Sequence, residues 1–322
     1  MAMHVIVGAG PVGSATARRL AAEGQRVRII TRSGAGPEHP AVERVRADAT
    51  DAAALRGLAE GAAAIYNCAN PPYHRWLVDW PPLAASILAA AEATGAVLVT
   101  VSNLYGYGPI DHPMVETDEL AASGAKGRVR AAMWNEALAA HRAGRAVVTE
   151  LRSSDFFGPE VTGSSMGDRV VPALLAGKGV RVLGHPDAPR SWTYAPDVAR
   201  TLVALAADER AWGRAWHTPG NPPLSQRAMI DGLCRAAGVP PVSVGRVPGA
   251  MLLAAGLFSP LVRELREVRY QFERPFVMDS TAATETFDIT PTPLDESLAA
   301  TVAWYRDRAV SPSPSSRRTV AP

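Results

Sequence analysis

The chain has 322 residues, 47% of them hydrophobic, and its 33 basic and 31 acidic residues leave a formal net charge of +2. The length allows one large domain or two medium ones, and the charge balance argues against a nucleic-acid partner. The two cysteines lie far apart and predict neither a disulfide framework nor a metal site. The sequence shows no signal peptide and no apolar run long enough for a membrane span, so we predict a cytoplasmic protein without a membrane partner.

Short apolar strands alternate with helices through the first half of the chain. The pattern predicts strands at 4–7, 27–31, 42–45, 63–68, 96–101 and 146–151. It predicts the intervening helices at 14–23, 51–60, 83–94 and 128–143. Such alternation is typical of a parallel sheet covered on both faces and joined by right-handed crossovers. The predicted fold class is therefore α/β, a doubly wound parallel sheet of the Rossmann type.

The second half is less regular, because prolines and glycines interrupt it from Gly158 to Gly249. Its predicted elements are a strand at 180–183 and helices at 196–207, 224–238 and 295–308. We predict a Rossmann domain at 1–158 and a smaller substrate-binding lobe at 159–310, with some segments of the lobe returning to the Rossmann sheet. The Ser- and Pro-rich tail at 311–322 is predicted to be disordered.

A glycine-rich turn joins the first predicted strand to the first helix. Its sequence is Gly8-Ala9-Gly10-Pro11-Val12-Gly13. Gly8 permits a tight turn, Gly10 lets the backbone approach a pyrophosphate, and Gly13 lets helix and strand pack closely. The helix that opens at Pro11 and Val12 offers free N–H groups and a positive dipole end to phosphates. A plain strand–turn–helix connection is the alternative, but the position between strand and helix favours a dinucleotide site.

The residues after the second strand bear on the choice between NAD and NADP. An acidic residue there would bind the ribose 2′-hydroxyl of NAD, whereas this chain has Thr31-Arg32-Ser33. A guanidinium pairs well with phosphate oxygens and the two hydroxyls add donors, so the sequence favours NADP. Asp48 lies where a carboxylate would accept from the adenine amine. The alternative for Arg32 is a solvated surface arginine, and the alternative for Asp48 is a turn residue.

Polar and aromatic side chains also follow the later strands. Ser102 and Asn103 lie just past the fifth strand, at the sheet edge where ligands bind in doubly wound folds. Ser102 is predicted to hydrogen-bond a substrate oxygen or to cap the strand. Tyr105 is the best available phenolic proton donor, and packing beside Gly106 is the alternative. Further substrate contacts are predicted for Arg152, Ser154, Phe156, Trp192 and Tyr194.

Five further motifs accompany the glycine turn in a fixed order. They are Val99–Gly106, Glu116-Thr117, Leu151–Pro159, Trp192–Ala199 and Leu294–Tyr305. In this order they resemble the short-chain dehydrogenase/reductase superfamily, in its extended or atypical branch, which includes NAD-dependent epimerase/dehydratase-like members. The resemblance covers nearly the whole chain to about Arg308.

The resemblance adds residues to the predicted site. In the family, the segment after the fourth strand runs beside the cofactor ribose and nicotinamide, which implies contacts from Cys68 and Asn70. Tyr73, with Trp76 and Trp80, would then form a wall of the substrate pocket, the alternative being aromatic residues that only pack. A homodimer is implied by family analogy alone.

The family's catalytic pair is missing from its expected positions. In the family a Tyr and a Lys lie one helical turn apart; the Lys lowers the Tyr pKa, and the Tyr exchanges a proton with the substrate oxygen. Aligning Glu136 with the family's helix glutamate places Arg128 at the Tyr position and Ala132 at the Lys position. The chain is therefore predicted to lack the standard Tyr-x-x-x-Lys pair.

A lysine stands at the start of the same predicted helix. Only Lys126 and Lys178 are lysines among 33 basic residues, and this scarcity is typical of a coding bias towards arginine. The segment 126–130 resembles the helix start of isoflavone-reductase-like and NmrA-like members, which are also of the NADP type. The resemblance implies an acid–base or cofactor-contacting role for Lys126, and a solvated lysine at a helix start is the alternative.

Together these patterns predict an NADP-dependent oxidoreductase or epimerase that acts on a small oxygenated metabolite. Lys126 or Tyr105 would supply or take the proton while Ser102 polarises the substrate oxygen. Two alternatives stay open. The chain could be a non-redox NADP-binding sensor or regulatory protein, or an isomerase or cyclase that retains its cofactor.

Overall fold

A computed structural model describes the chain except for residues 250, 253–256, 258, 260–262 and 311–322. The predicted tail thus lies outside the described residues. Among the described residues, no helix combines the length and the apolar character that a membrane crossing requires.

A seven-stranded parallel sheet forms the centre of the molecule. Its strands are β1 (Met3–Val7), β2 (Arg26–Thr31), β3 (Val42–Arg46), β4 (Ala62–Asn67), β5 (Val97–Asn103), β6 (Val148–Ser153) and β11 (Ala215–His217). They lie in the order β11-β6-β5-β4-β1-β2-β3, and all neighbours pair in parallel. This order reverses direction between β1 and β4, so the predicted doubly wound Rossmann-type sheet is confirmed.

Helices cover both faces of the sheet. They are α1 (Pro11–Ala22), α2 (Ala52–Leu58), α3 (Trp76–Thr94), α4 (Ala125–Arg142) and α6 (Ala195–Ala207). One core layer combines α2, α3 and α4 with the sheet and buries Leu55, Trp80 and Trp134. The opposite layer places α1 and α6 on the sheet and buries Leu20 and Leu202. Because both faces are covered, the central strands are apolar on both sides.

Several helices begin earlier than the sequence predicts, and α3 differs most. Helix α3 starts at Trp76 and runs through Pro81 and Pro82. The sequence predicts a start at Leu83, because proline disfavours the interior of a helix. Trp76 is 3% exposed and Trp80 is fully buried, so tertiary burial offsets the lost backbone hydrogen bonds. A 3₁₀ turn at Tyr73–Arg75 leads into α3, and α4 starts three residues before its predicted start.

Most of the remaining elements build a smaller lobe beside the carboxyl ends of the strands. Its short strands are β7 (Asp155–Phe157), β8 (Val180–Val182), β9 (Pro189–Arg190), β10 (Trp192–Tyr194), β12 (Leu224–Ser225) and β13 (Val244–Arg246). Its helices are α5 (Val171–Leu175), α7 (Gln226–Ala237), α8 (Tyr270–Glu273) and α10 (Leu294–Val310), whereas α9 (Thr281–Phe287) packs against the sheet core. Two further 3₁₀ turns lie at Tyr105–Tyr107 and Glu209–Ala211. The lobe has its own core, which includes Leu174, Ile230 and Leu298.

Candidate active site

A cleft of about 920 Å³ opens at the carboxyl ends of β1, β2, β3 and β4. This is the edge of a doubly wound sheet where ligands bind. The cleft brings together eight of the residues that the sequence predicts to contact the cofactor, namely Gly8, Gly10, Thr31, Arg32, Ser33, Asp48, Cys68 and Asn70. Pro11, Val12 and Gly13 begin helix α1 directly behind Gly10.

The glycine turn is shaped by close backbone approaches. Gly8 has a φ of +102°, and a Cβ there would lie 2.7 Å from the Cys68 carbonyl oxygen. A Cβ on Gly13 would overlap the Gly8 carbonyl oxygen, whereas a Cβ on Gly10 would meet no atom within 4 Å. The strand and helix therefore pack without side chains between them, and the space beside Gly10 belongs to the cleft. This geometry fits a dinucleotide diphosphate at the α1 N-terminus.

The end of β2 presents an uncommitted arginine to the cleft. The Thr31 hydroxyl donates to the Ala35 carbonyl oxygen at 3.1 Å, and Ser33 Oγ accepts from the Ala35 N–H at 3.3 Å. Both side chains therefore help to shape the turn. Arg32 is exposed and forms no ion pair with any described residue closer than 4 Å. Its guanidinium is available to a ligand in the cleft.

Asp48 follows β3 and Cys68 follows β4, and Cys68 packs directly against the glycine turn. Asp48 accepts from the Thr50 N–H at 3.0 Å and from its hydroxyl at 2.9 Å, and these hydrogen bonds hold the Asp48 pKa below its usual value. Burial raises the pKa of the Cys68 thiol to about 12. Cys68 is therefore a neutral wall residue at physiological pH and not a thiolate nucleophile.

Sequence reasoning missed one wall of the cleft. Arg75, Val78 and Asp79, at the start of α3, line the cleft together with Arg32. Arg75 donates to both carboxylate oxygens of Asp79, from Nε at 2.9 Å and from Nη2 at 2.7 Å. An Arg and an Asp four residues apart can form an ion pair on one face of a helix, and this spacing could have indicated that the helix includes them. It was overlooked because the two prolines placed the start of this helix after them.

Lys126 is fully buried, which rules out a solvated helix-start lysine. Its Nζ contacts the carboxylate of Glu264 and lies 3.7 Å from Oε2 of Glu267. Its backbone N–H donates to Oε1 of Glu267 at 2.7 Å. Nζ also lies 4.7 Å from the centroid of the Tyr73 ring. Two carboxylates from a segment far along the chain therefore neutralise and cover this ammonium group.

Tyr105 lies in an aromatic group beside Lys126. Its ring centroid is 6.4 Å from that of Tyr73 and 5.9 Å from that of Trp76. Burial raises the pKa of both Tyr105 and Tyr73. Both phenols are therefore protonated at neutral pH. The Tyr73 hydroxyl is buried and has no hydrogen-bond partner among the described residues.

Helix α4 turns a different face inwards from the one that alignment through Glu136 suggests. Arg128 and Ala132 are exposed, whereas Lys126 and Arg130, one turn apart, are buried. The Arg130 guanidinium stacks on the rings of Trp76 and Trp80, at 4.7 and 4.2 Å from their centroids. No tyrosine occurs in α4. The inward positions of its first turns therefore carry a Lys and an Arg.

Arg152 belongs to a buried polar network instead of facing the cleft. It donates from Nε to Glu150 and from Nη1 to the Tyr107 hydroxyl, both at 2.7 Å. The Tyr107 hydroxyl lies 2.7 Å from Nε2 of His217, and His217 Nδ1 lies 2.6 Å from the Asp279 carbonyl oxygen. A carbonyl only accepts, so Nδ1 of His217 carries a hydrogen. Burial lowers the pKa of His217, so the imidazole is neutral and Nε2 accepts from Tyr107.

The pH dependence of stability is expected to report this network. Burial lowers the pKa of His217, so its stabilising contribution is full above the unfolded value of about 6.5 and is lost as the pH falls below it. Each unit of pKa difference corresponds to about 1.4 kcal/mol. Denaturant unfolding between pH 7.5 and 5.5 should show a shallower decline for His217→Gln than for the wild type. Parallel curves of unfolding free energy against pH would contradict the assignment to His217. Burial also lowers the pKa of His4, but His4 is present in both proteins, so its contribution cancels in the comparison.

Three other predicted substrate contacts lie at the ends of β5 and β6. Ser102 is 3% exposed at the end of β5. The amide oxygen of Asn103 accepts the Tyr105 N–H at 3.1 Å and so supports the following turn. The Ser154 hydroxyl is buried and lacks a hydrogen-bond partner among the described residues. Ser154 therefore retains an uncommitted donor, whereas the Asn103 oxygen is used within the fold.

The aromatic candidates of the lobe lie in packed cores. Phe156 packs against the sheet core on the α1 side. Trp192 is 5% exposed and donates from Nε1 to the Leu224 carbonyl oxygen at 3.0 Å. The Tyr194 ring lies 5.4 Å from that of Phe157. None of the three lines the cleft, because Phe156 packs on the sheet core and the other two side chains pack in the core of the lobe.

Metal-binding side chains do not converge in the described ranges. No group of three or more His, Cys, Asp or Glu residues there is arranged to hold a metal ion.

The strand order and the glycine turn under the cleft place the protein in the class of Rossmann-type dinucleotide-binding folds. Residues 4–216 match the family profile described as "NAD dependent epimerase/dehydratase family". The chain belongs to this family, which confirms the resemblance to epimerase/dehydratase-like short-chain dehydrogenases. No curated protein matches the chain.

Solved structures share the fold across almost the whole chain. A dTDP-glucose 4,6-dehydratase double mutant from Streptomyces venezuelae, with NAD bound, is 23% identical, with a TM-score of 0.77 and coverage of 96% of this chain and 98% of that one. An epimerase from Methanothermobacter thermautotrophicus is 19% identical, with a TM-score of 0.81 and coverage of 96% and 93%. A UDP-glucuronic acid 4-epimerase from Bacillus cereus, in complex with NAD, is 16% identical, with a TM-score of 0.79 and coverage of 97% and 99%. At these identities the similarity establishes the fold.

Proposed function

We propose that the protein is an NADP-dependent oxidoreductase or epimerase that acts on a small oxygenated metabolite. The observation that carries this proposal is the exposed Arg32 at the edge of the dinucleotide cleft, in place of the acidic residue that would select NAD. The sugar-nucleotide enzymes of the same fold make sugar nucleotides the first substrates to test. A cytoplasmic location and a homodimer stay predictions.

Different residues of the cleft would bind different parts of the dinucleotide. The N–H groups after Gly10, at the start of α1, would hold the diphosphate, and Arg32 with Ser33 would hold the 2′-phosphate. Asp48 would accept from the adenine amine, and Cys68 and Asn70 would line the ribose beyond the diphosphate. When bound, the cofactor supplies hydride transfer, and the protein supplies position and electrostatics.

The proton would move through residues at the ends of β5 and α4. Tyr105 would donate it, because burial keeps its phenol protonated at neutral pH. Lys126 lies beside the ring of Tyr73, which in turn packs on Tyr105, so the buried lysine would help to fix the positions of both phenols. Ser102, buried at the end of β5, would orient the substrate oxygen.

Replacing Arg32 by Ala tests the choice of cofactor. Loss of a charged hydrogen-bond pair, worth about 1.5–3 kcal/mol, should raise the NADPH dissociation constant roughly 10- to 100-fold and change that of NADH less than about threefold. Calorimetric titration at fixed ionic strength measures both constants. Arg56→Ala, which removes an exposed arginine of α2 outside the cleft, is the matched control. Equal losses for NADPH and NADH would refute the 2′-phosphate assignment.

One observation favours a second candidate function, that of a non-redox NADP-binding sensor. Glu264 and Glu267 neutralise the fully buried Lys126, and α4 contains no tyrosine. NADPH oxidation measured with sugar nucleotides, ketones, aldehydes and enones separates the two functions. Tight NADPH binding without turnover on any of these substrates would favour the sensor.

A further inference from the structure

A second arginine faces the part of the cleft that Arg32 borders. Arg75 lies at the end of the 3₁₀ turn that precedes α3, and both arginines line the same cleft. We propose that Arg75 is a specificity-determining residue, and that Arg32 and Arg75 hold the 2′-phosphate of NADP between them. This inference rests on the NADP dependence proposed above.

The ion pair with Asp79 orients the Arg75 guanidinium. Nε and one hydrogen of Nη2 are used on the two carboxylate oxygens, at 2.9 and 2.7 Å. A guanidinium has five N–H donors, so both Nη1 hydrogens and the second Nη2 hydrogen stay free. They form a two-nitrogen fork on the side away from Asp79. Such a fork matches two phosphate oxygens, which a lysine ammonium does not.

Asp79 also links Arg75 to Arg32. The hydrogen bond from Arg75 chiefly lowers the Asp79 pKa, and the charge of Arg32 lowers it further. Arg32 is therefore close enough to Asp79 to act on it. It acts in the same way on Asp48, across the cleft. Arg32 and Arg75 therefore border the same part of the cleft, and a phosphate placed there can accept from the free donors of both guanidiniums.

The apolar surface beside Arg75 suits an adenine ring. Val78 is 65% exposed and yet forms part of the cleft wall, together with Leu83 and Ala49. A bound adenine would cover this apolar surface, which water otherwise contacts. The 2′-phosphate of the same nucleoside would then lie between the strand that carries Arg32 and the turn that carries Arg75.

The test uses two nucleotides that lack nicotinamide. Adenosine 2′,5′-bisphosphate carries the 2′-phosphate, and AMP does not. Arg75→Ala should weaken the bisphosphate about tenfold and AMP less than about twofold, by calorimetric titration. Arg75→Lys keeps the charge but loses the fork, so it should recover only part of the affinity. Arg56→Ala should leave both affinities unchanged, and circular dichroism with thermal melting should show that each variant is folded.

The outcomes separate this inference from the proposed function. If Arg75→Ala weakens both nucleotides equally, Arg75 contacts the adenine or the 5′-phosphate, and the inference is overturned. If it weakens neither, the inference is also overturned, while selective loss in Arg32→Ala would leave the NADP proposal intact. If the wild-type protein does not prefer the bisphosphate and Arg32→Ala causes no selective loss, the NADP proposal fails and this inference fails with it.

Discussion

A Gly10→Val variant is expected to fold and to lose the dinucleotide. Gly10 has φ −70° and ψ −177°, a conformation that valine adopts without strain. A Cβ at this position meets no protein atom within 4 Å, so the valine side chain would extend into the cleft. It would displace the diphosphate from the α1 N-terminus. Losing two charged hydrogen bonds should weaken NADPH and NADH alike, by at least about 100-fold.

Calorimetric titration and thermal melting test this expectation together. Gly57→Ala is the matched control, because a Cβ at Gly57 also has open space and Gly57 lies outside the cleft. Gly8 and Gly13 are unsuitable for this purpose, since a side chain at either would collide with backbone and disturb the fold. Undiminished binding by a folded Gly10→Val protein would contradict the placement of the diphosphate.

A Lys126→Met variant is expected to lose both stability and turnover. Without the ammonium group, the carboxylates of Glu264 and Glu267 face a buried apolar side chain and each other. Breaking a buried pair costs about 3–5 kcal/mol, and the glutamates are about one-quarter exposed, so we expect about 2–3 kcal/mol. Turnover should fall by about 100-fold or more if Lys126 acts in the proton step.

A triple variant separates these two effects. Lys126→Met with Glu264→Gln and Glu267→Gln removes all three charges, so it should regain most of the lost stability while turnover stays low. Lys178→Met, at the other lysine, which is exposed, should change neither quantity. Denaturant unfolding and steady-state kinetics with NADPH measure both effects. Recovery of turnover along with stability would show that Lys126 has a structural role only.

The grouping of residues around the cleft could be predicted from the sequence because these residues follow strands directly. In a parallel sheet the residues after each strand meet at one edge, so Gly10, Arg32 and Asp48 could be placed together by reading strand ends. The start of α3 could not be predicted in this way. Pro81 and Pro82 break local helix rules, and only the burial of Trp80 in the tertiary structure shows why the helix continues through them.

The surroundings of Lys126 were beyond sequence reasoning for a different reason. Its partners, Glu264 and Glu267, are 138 and 141 residues away along the chain, and no periodic pattern connects such positions. The same holds for Arg152, which the sequence directed towards substrate. Its hydrogen bond to Tyr107 and the further link to His217 join strands and turns that only the folded sheet brings together.

The contact between Lys126 and the distant glutamates also bears on how the protein matures during synthesis. The elements that line the dinucleotide cleft lie within the first 83 residues, whereas the partner of the Lys126 N–H is 141 residues further on than Lys126 itself. At about 5–20 residues per second, a ribosome needs roughly 7–30 s to add that length of chain. During this interval the nascent chain has the cleft residues but not the acidic cover over the lysine. The residues that line the cleft are therefore synthesised well before the carboxylates that cover Lys126.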